Sequence, residues 1–148
     1  PKVTVETRFP VRYAETDQMG IVHHSVYPIW FECGRTDFIK HFGISYGELE
    51  KQGLLLPLIR MNCEFKTPAH YGENIVVKTK LLRGTKVRLI LEYEVYAEER
   101  NVLCARGTTE HAWTGTDLKP VNIAKYSTHL YEGLKPLYNS AIGDNGRL

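Results

Sequence analysis

The sequence predicts an α+β fold: one opening strand, one long helix, then a run of antiparallel strands. Two patterns carry this. Over residues 25–42, Val26, Ile29, Trp30, Cys33, Phe38 and Phe42 recur near helical spacing, and over 87–96 an apolar set alternates with a set that, Ile90 apart, is mostly polar. The length, 148 residues, fits a single domain spanning 1–148 that is large enough to bury a core.

Residues 3–13 lean towards β-structure, with Val3, Val5, Phe9, Val11 and Tyr13 on odd positions. Pro10, which lacks an N–H for a ladder, places this strand at an edge or a bulge. Ser25 is the expected N-cap of the helix, with Pro28 in the first turn, where a missing N–H costs little, and Gly43 as its stop. Glu32 and Arg35, three apart, form a local ion pair on it. Ser45-Tyr46-Gly47-Glu48 reads as a capping box opening a short second helix that Gly53 closes. Residues 54–66 and 75–83 read as strands, and a turn at Gly84-Thr85 leads to the clearest one, where Val87, Leu89, Leu91, Tyr93 and Val95 share a face. A polar turn at 98–101, a strand over 102–113 and a helical segment over 121–138 complete the chain.

Composition narrows the function. A formal charge of +2 and the absence of a dense basic run argue against nucleic acid, and no apolar stretch reaches the ~18–20 residues of a membrane span. Neither a secretory leader nor a C-x-x-C is present, and Cys33, Cys63 and Cys104 read as reduced, buried side chains, so a cytoplasmic protein is expected. The six histidines show no metal-ligand spacing, and no P-loop or G-x-G-x-x-G occurs, so no metal and no cofactor is expected. Gly43-Ile44-Ser45-Tyr46-Gly47 fits the nucleophile-elbow pattern, but that elbow needs a strand before its serine, and here a helix precedes.

The chemistry concentrates in Asp17-Gln18-Met19-Gly20-Ile21-Val22-His23-His24. A carboxylate precedes a turn-permitting glycine, two aliphatics and paired histidines, and a helix begins immediately afterwards. Helix N-termini present unpaired N–H groups and a partial positive charge that favour a developing anion. An acid beside such a site is what hydrolysis of an activated acyl group requires. Read alone, Asp17 could equally be a loop or cap aspartate, and His24 an ordinary helix-start histidine.

The wider segment, Val11-Arg12-Tyr13-Ala14-Glu15-Thr16-Asp17 with Gly20 to His24, Tyr27, Phe31-Glu32 and Arg35, resembles the hotdog-fold acyl-CoA thioesterases. The resemblance is to the 4-hydroxybenzoyl-CoA thioesterase branch and its YbgC-like group, and Thr67 to Asn74 extends it, so that it covers residues 8–115. It implies an antiparallel sheet wrapped around one long central helix. It further implies Asp17 as general base or nucleophile, the His24 amide as oxyanion donor and Tyr13 as a group positioning the acid. The substrate implied is a small or medium acyl-CoA, or else an acyl-carrier-protein thioester, with coenzyme A entering only as part of the substrate. His23, where the group usually has tyrosine, and Tyr27 would border the pocket, while Arg60, Lys66 and Arg88 are the cations expected to meet the phosphates. A homodimer or homotetramer follows, because hotdog proteins place sites between subunits. A hotdog hydratase or dehydratase and a non-catalytic thioester- or carrier-binding module are the alternatives.

Overall fold

The computed structural model describes residues 2–143; residue 1 and residues 144–148, the ends of the expected 1–148 domain, lie outside the described residues. Five antiparallel strands, β1 (Val5–Pro10), β2 (Leu58–Phe65), β3 (Asn74–Gly84), β4 (Arg88–Ala97) and β5 (Val102–Ala112), form one sheet in the order β1-β3-β4-β5-β2. A long helix, α1 (Tyr27–His41), packs across one face, in the α+β arrangement expected. The alternation in β4 selects that face. Leu89, Leu91, Tyr93 and Val95 are buried beneath α1, whereas Arg88, Glu92, Glu94 and Tyr96 are only half-buried on the other side. Pro10 sits on an edge strand, where its missing N–H breaks no ladder.

The helix starts differently from the expectation. A 3₁₀ turn over His24–Val26 precedes α1, and its cap is His23, whose Nδ1 accepts the Ser25 N–H at 3.1 Å. Ser25 therefore does not cap; its hydroxyl instead meets the same ring nitrogen at 2.8 Å. Ser45 does cap the second helix, α2 (Tyr46–Lys51), accepting the Glu48 N–H at 3.2 Å, which occupies the serine of the elbow-like motif in a structural role. The strand expected from residue 54 begins only at Leu58; before it, Leu55 makes an isolated bridge to Thr114, and Pro57 cannot donate to a ladder. The C-terminal segment is three short helices, α3 (Ile123–Tyr126), α4 (Thr128–Gly133) and α5 (Lys135–Asn139), because Ser127 is extended and caps α4. Of the three thiols expected to be buried, Cys104 is, Cys63 is half-buried and Cys33 is exposed on α1.

Two glycines let α1 lie close against the sheet. A Cβ on Gly34 would collide with the Thr79 hydroxyl and come within 2.9 Å of Val77 Cγ1. Gly107 in β5 lies beneath Phe31, and a Cβ there would strike the Asn62 carbonyl and approach the Phe31 ring to 2.8 Å. Phe31 stacks on Tyr93 with centroids 4.5 Å apart and planes 7° from parallel. Together with Trp30 and Phe38, both fully buried, this ring pair forms the centre of the core.

Polar contacts lock the other end of α1. Arg35 does pair with Glu32 at 3.4 Å, as expected, but it also donates to Tyr46 Oη at 2.6 Å and reaches His111 Nε2 at 3.3 Å. The opposite nitrogen of His111 lies 3.2 Å from the Leu56 carbonyl and can only donate to it, which leaves Nε2 as the acceptor. Burial, reinforced by the Arg35 cation, pushes the His111 imidazolium down to a pKa of about 4.

Two outcomes follow. Gly34→Ala should destabilise the chain by about 1–3 kcal/mol in urea denaturation, even though alanine favours a helix by about 1 kcal/mol. Adding Thr79→Ala, which removes a buried hydroxyl without a hydrogen bond, should recover part of that loss, and strict additivity would show that the two do not touch. Because His111 takes up its proton near pH 4 in the fold but near 6.5 when unfolded, stability should be full above about pH 6.5 and fall by roughly 3 kcal/mol as pH drops to about 4. In His111→Gln this segment of a pH–stability profile should flatten, leaving the carboxylate-linked loss at lower pH.

Candidate active site

Residues 16–22 form a tight hairpin closed by the Thr16–Val22 bridge, with the Asp17 N–H donating to the Ile21 carbonyl at 2.8 Å and Gly20 at φ +77°. A positive φ is ordinary for glycine and strained for most other residues, so Gly20 sets the turn. Asp17 Oδ1 accepts the Met19 N–H at 2.7 Å, fixing the carboxylate, and Oδ2 has no hydrogen-bond partner among the described residues. Asp17 thus makes a turn-type bond with one oxygen and keeps the other able to accept.

Glu15, two residues earlier, is the opposite case. It is 7% exposed and accepts from the Arg12 N–H at 2.8 Å, Arg12 Nη2 at 3.2 Å and Trp30 Nε1 at 3.0 Å, while its carbonyl takes the His23 N–H at 2.9 Å. Burial opposes its ionisation, but the Arg12 and Trp30 hydrogen bonds outweigh that and hold its pKa below the usual carboxylate range. Glu15 therefore ties the motif loop to α1 and sets where His23 and His24 fall.

Asp17 and His24 line one cavity of about 260 Å³. Its walls are Tyr27, Phe65, Cys104 and the Lys66-Thr67-Pro68 segment that follows β2. Phe65 stands edge-on to Tyr27, centroids 5.4 Å apart, giving the cavity an aromatic side. Tyr27 is buried, its hydroxyl hydrogen-bonds the Ala69 backbone, and burial pushes its pKa up to about 12, so it stays protonated at neutral pH. The His24 amide opens the 3₁₀ turn and has no acceptor within it.

The remaining expected residues fall elsewhere. His23 spends Nδ1 on the helix start and packs its ring on His24 at 4.2 Å, outside the cavity lining. Tyr13 is 77% exposed, edge-on to Tyr71 at 5.6 Å, and does not line the cavity either. Arg60 and Arg88 lie on the sheet face away from α1 and both pair with Glu110, Arg60 at 3.7 Å and Arg88 more closely. Lys66 alone of the three expected cations borders the Asp17 cavity. Phe65 and Cys104, not singled out from sequence, also line it. They come from the sheet, far along the chain from Asp17, and their only sequence signal is β-alternation, which does not say what they face.

The thioesterase-like superfamily model matches residues 11–132. A putative acyl-CoA thioesterase, YneP, of Bacillus subtilis is 40% identical over 116 residues, 78% of this chain and 83% of its own. The acyl-CoA thioester hydrolase YbgC of Escherichia coli O157:H7 is 30% identical over 84 residues, covering 54% of this chain and 63% of its own. The structure superposes on a DHNA-CoA thioesterase from Staphylococcus aureus with a TM-score of 0.83 at 34% identity, covering 90% of this chain and 89% of that one. With a five-stranded antiparallel sheet, a helix laid across it and a carboxylate at that helix's approach, the chain belongs to the thioesterase-like superfamily and is a thioester hydrolase of the hotdog fold.

Proposed function

We propose that the chain hydrolyses a small or medium acyl-CoA to the free acid and coenzyme A at the Asp17 cavity. What carries this reading is one juxtaposition: Asp17, whose carboxylate has a spare oxygen, and His24, whose N–H is not accepted within the 3₁₀ turn that it opens, line the same largely apolar cavity. The substrate carbonyl carbon sits between them. Water attacks it with Asp17 Oδ2 taking the proton, or Asp17 attacks directly and the mixed anhydride is then hydrolysed. In both routes the His24 amide donates to the carbonyl oxygen as it becomes anionic, and the coenzyme A thiolate leaves and is protonated. A thioester is activated enough that no metal or further cofactor is needed. Lys66, at the cavity wall, is the cation placed to meet coenzyme A phosphate; Arg60 and Arg88, neutralised by Glu110 on the other sheet face, are not.

The Bacillus and Escherichia relatives are named for acyl-CoA esters, while a plant relative at 27% identity is an acyl-acyl carrier protein thioesterase. With its three cysteines unpaired, the protein suits a reducing cytoplasm.

The site is completed in a homodimer paired through β2. This strand ends the sheet, and Leu58, Ile59 and Phe65 on it are exposed. Both edge strands carry charges, but the other edge, β1, also has Pro10, which cannot donate to an added strand; β2 has no proline. Antiparallel pairing of two β2 strands satisfies the open backbone groups, covers these apolar side chains and brings the partner against the Phe65 side of the cavity.

Asp17→Asn should lower kcat/KM in a thiol-release assay by about 10²–10⁴-fold while leaving the unfolding transition in place, and preserved turnover would remove Asp17 from the chemistry. Ile59→Lys should shift the protein to monomer in sedimentation velocity and depress turnover with it. A variant that stays dimeric would place the interface elsewhere.

A further inference from the structure

Outside the cavity, one cation is tied to its wall by an unusual number of contacts. Arg100 lies in the β4–β5 turn, next to Asn101 in the left-handed region at φ +52°. Its Nε and Nη2 fork the two oxygens of Glu73 at 2.6 and 2.7 Å, and Nη2 also donates to the Pro68 carbonyl at 2.9 Å. Glu73 in turn accepts the His70 N–H at 2.8 Å, and its carboxyl is held down at a pKa of about 2, first by the Arg100 hydrogen bonds. Pro68 lines the Asp17 cavity; Arg100 and Glu73 do not. On its other side the same segment is fastened to the catalytic hairpin, through the Val22 N–H to the Ala69 carbonyl at 2.9 Å and the Ile21–His70 bridge.

We propose that Arg100 is a positioning residue for the thioester cavity, holding the Thr67–His70 segment against the Asp17 hairpin through Glu73 and the Pro68 carbonyl. This rests on the hydrolytic reading of the Asp17 cavity. The segment is an eight-residue connection, 66–73, between β2 and β3; Ala69 is buried, backbone bonds tie Lys66 and Thr67 to the Cys104 carbonyl and Gly72 and Glu73 to Val11, and among the described residues the Arg100 bond is the one that holds the Pro68 carbonyl. A bidentate guanidinium fixes both distance and plane, which a flexible ammonium does not. The clamp faces solvent, with 38% of the Arg100 side chain exposed, so its loss leaves the core under α1 untouched.

Arg100→Gln should raise KM for the best acyl-CoA and the Kd of a non-hydrolysable thioether analogue together, by about tenfold or more, with a much smaller change in kcat. Amide hydrogen exchange at Ala69 and His70 should quicken, while β3 and β4 core amides keep their protection. Arg100→Lys should recover part of the effect by restoring the pair with Glu73 without the Pro68 bond, and Glu73→Gln should reproduce the loss. Unchanged exchange at 69–70 overturns the clamp, and faster exchange with unaltered KM and analogue affinity overturns its role in positioning. Failure of the hydrolytic reading has a different signature, turnover that survives Asp17→Asn, and the exchange and analogue-binding results still decide on Arg100 in that case.

Discussion

The close approach of α1 to the sheet is the constraint on which the rest of the structure depends. Gly34 on the helix and Gly107 on β5 remove the two side chains that would hold the layers apart. Only then can Phe31 lie flat on Tyr93 and the inward faces of β3 and β4 close beneath the helix. Interiors packed at crystal-like density do not absorb an extra methyl without displacing neighbours. The buried Thr79 hydroxyl, without a hydrogen bond and pressed towards Gly34, shows that close packing was kept here at the expense of one polar group.

That seating fixes the candidate site because the Asp17 hairpin is fastened to the same helix. Trp30, next to Phe31 on α1, gives its indole N–H to Glu15, whose carbonyl holds His23. The two acidic residues of the motif have divided tasks. Glu15 is buried and its acceptor capacity is occupied, which keeps it ionised and structural, whereas Asp17 is more exposed and has one oxygen left over. A hydrogen-bonded, buried carboxylate is a poor base, and a fixed, half-satisfied one beside a helix start is a useful one.

The charges follow the same separation of faces. Arg88, Arg60 and Glu110 neutralise one another on the outer face of the sheet, and Arg35 is spent on Tyr46, His111 and Glu32 at the far end of α1. Lys66 remains at the cavity with only a 3.8 Å contact to Glu64. The open β2 edge borders that cavity through Phe65.

Period and punctuation alone determined the fold class, the long helix, the alternating face of β4 and the second helix capped by Ser45, because these depend on neighbours within a few residues. The motif around Asp17, with the resemblance it carried, pointed to a carboxylate that lines a cavity. Helix starts are decided by whichever nearby acceptor reaches the free N–H groups first, so the cap went to His23 and not Ser25. Only the tertiary structure decided which cations could serve the site. Alternation on a strand assigns two faces without saying which one meets α1, so Arg60 and Arg88 were indistinguishable from Lys66 until the sheet was assembled. It also brought Phe65, Cys104 and, through Pro68, Arg100 to a cavity whose acid lies dozens of residues away, since antiparallel pairing makes neighbours of residues that no local pattern connects.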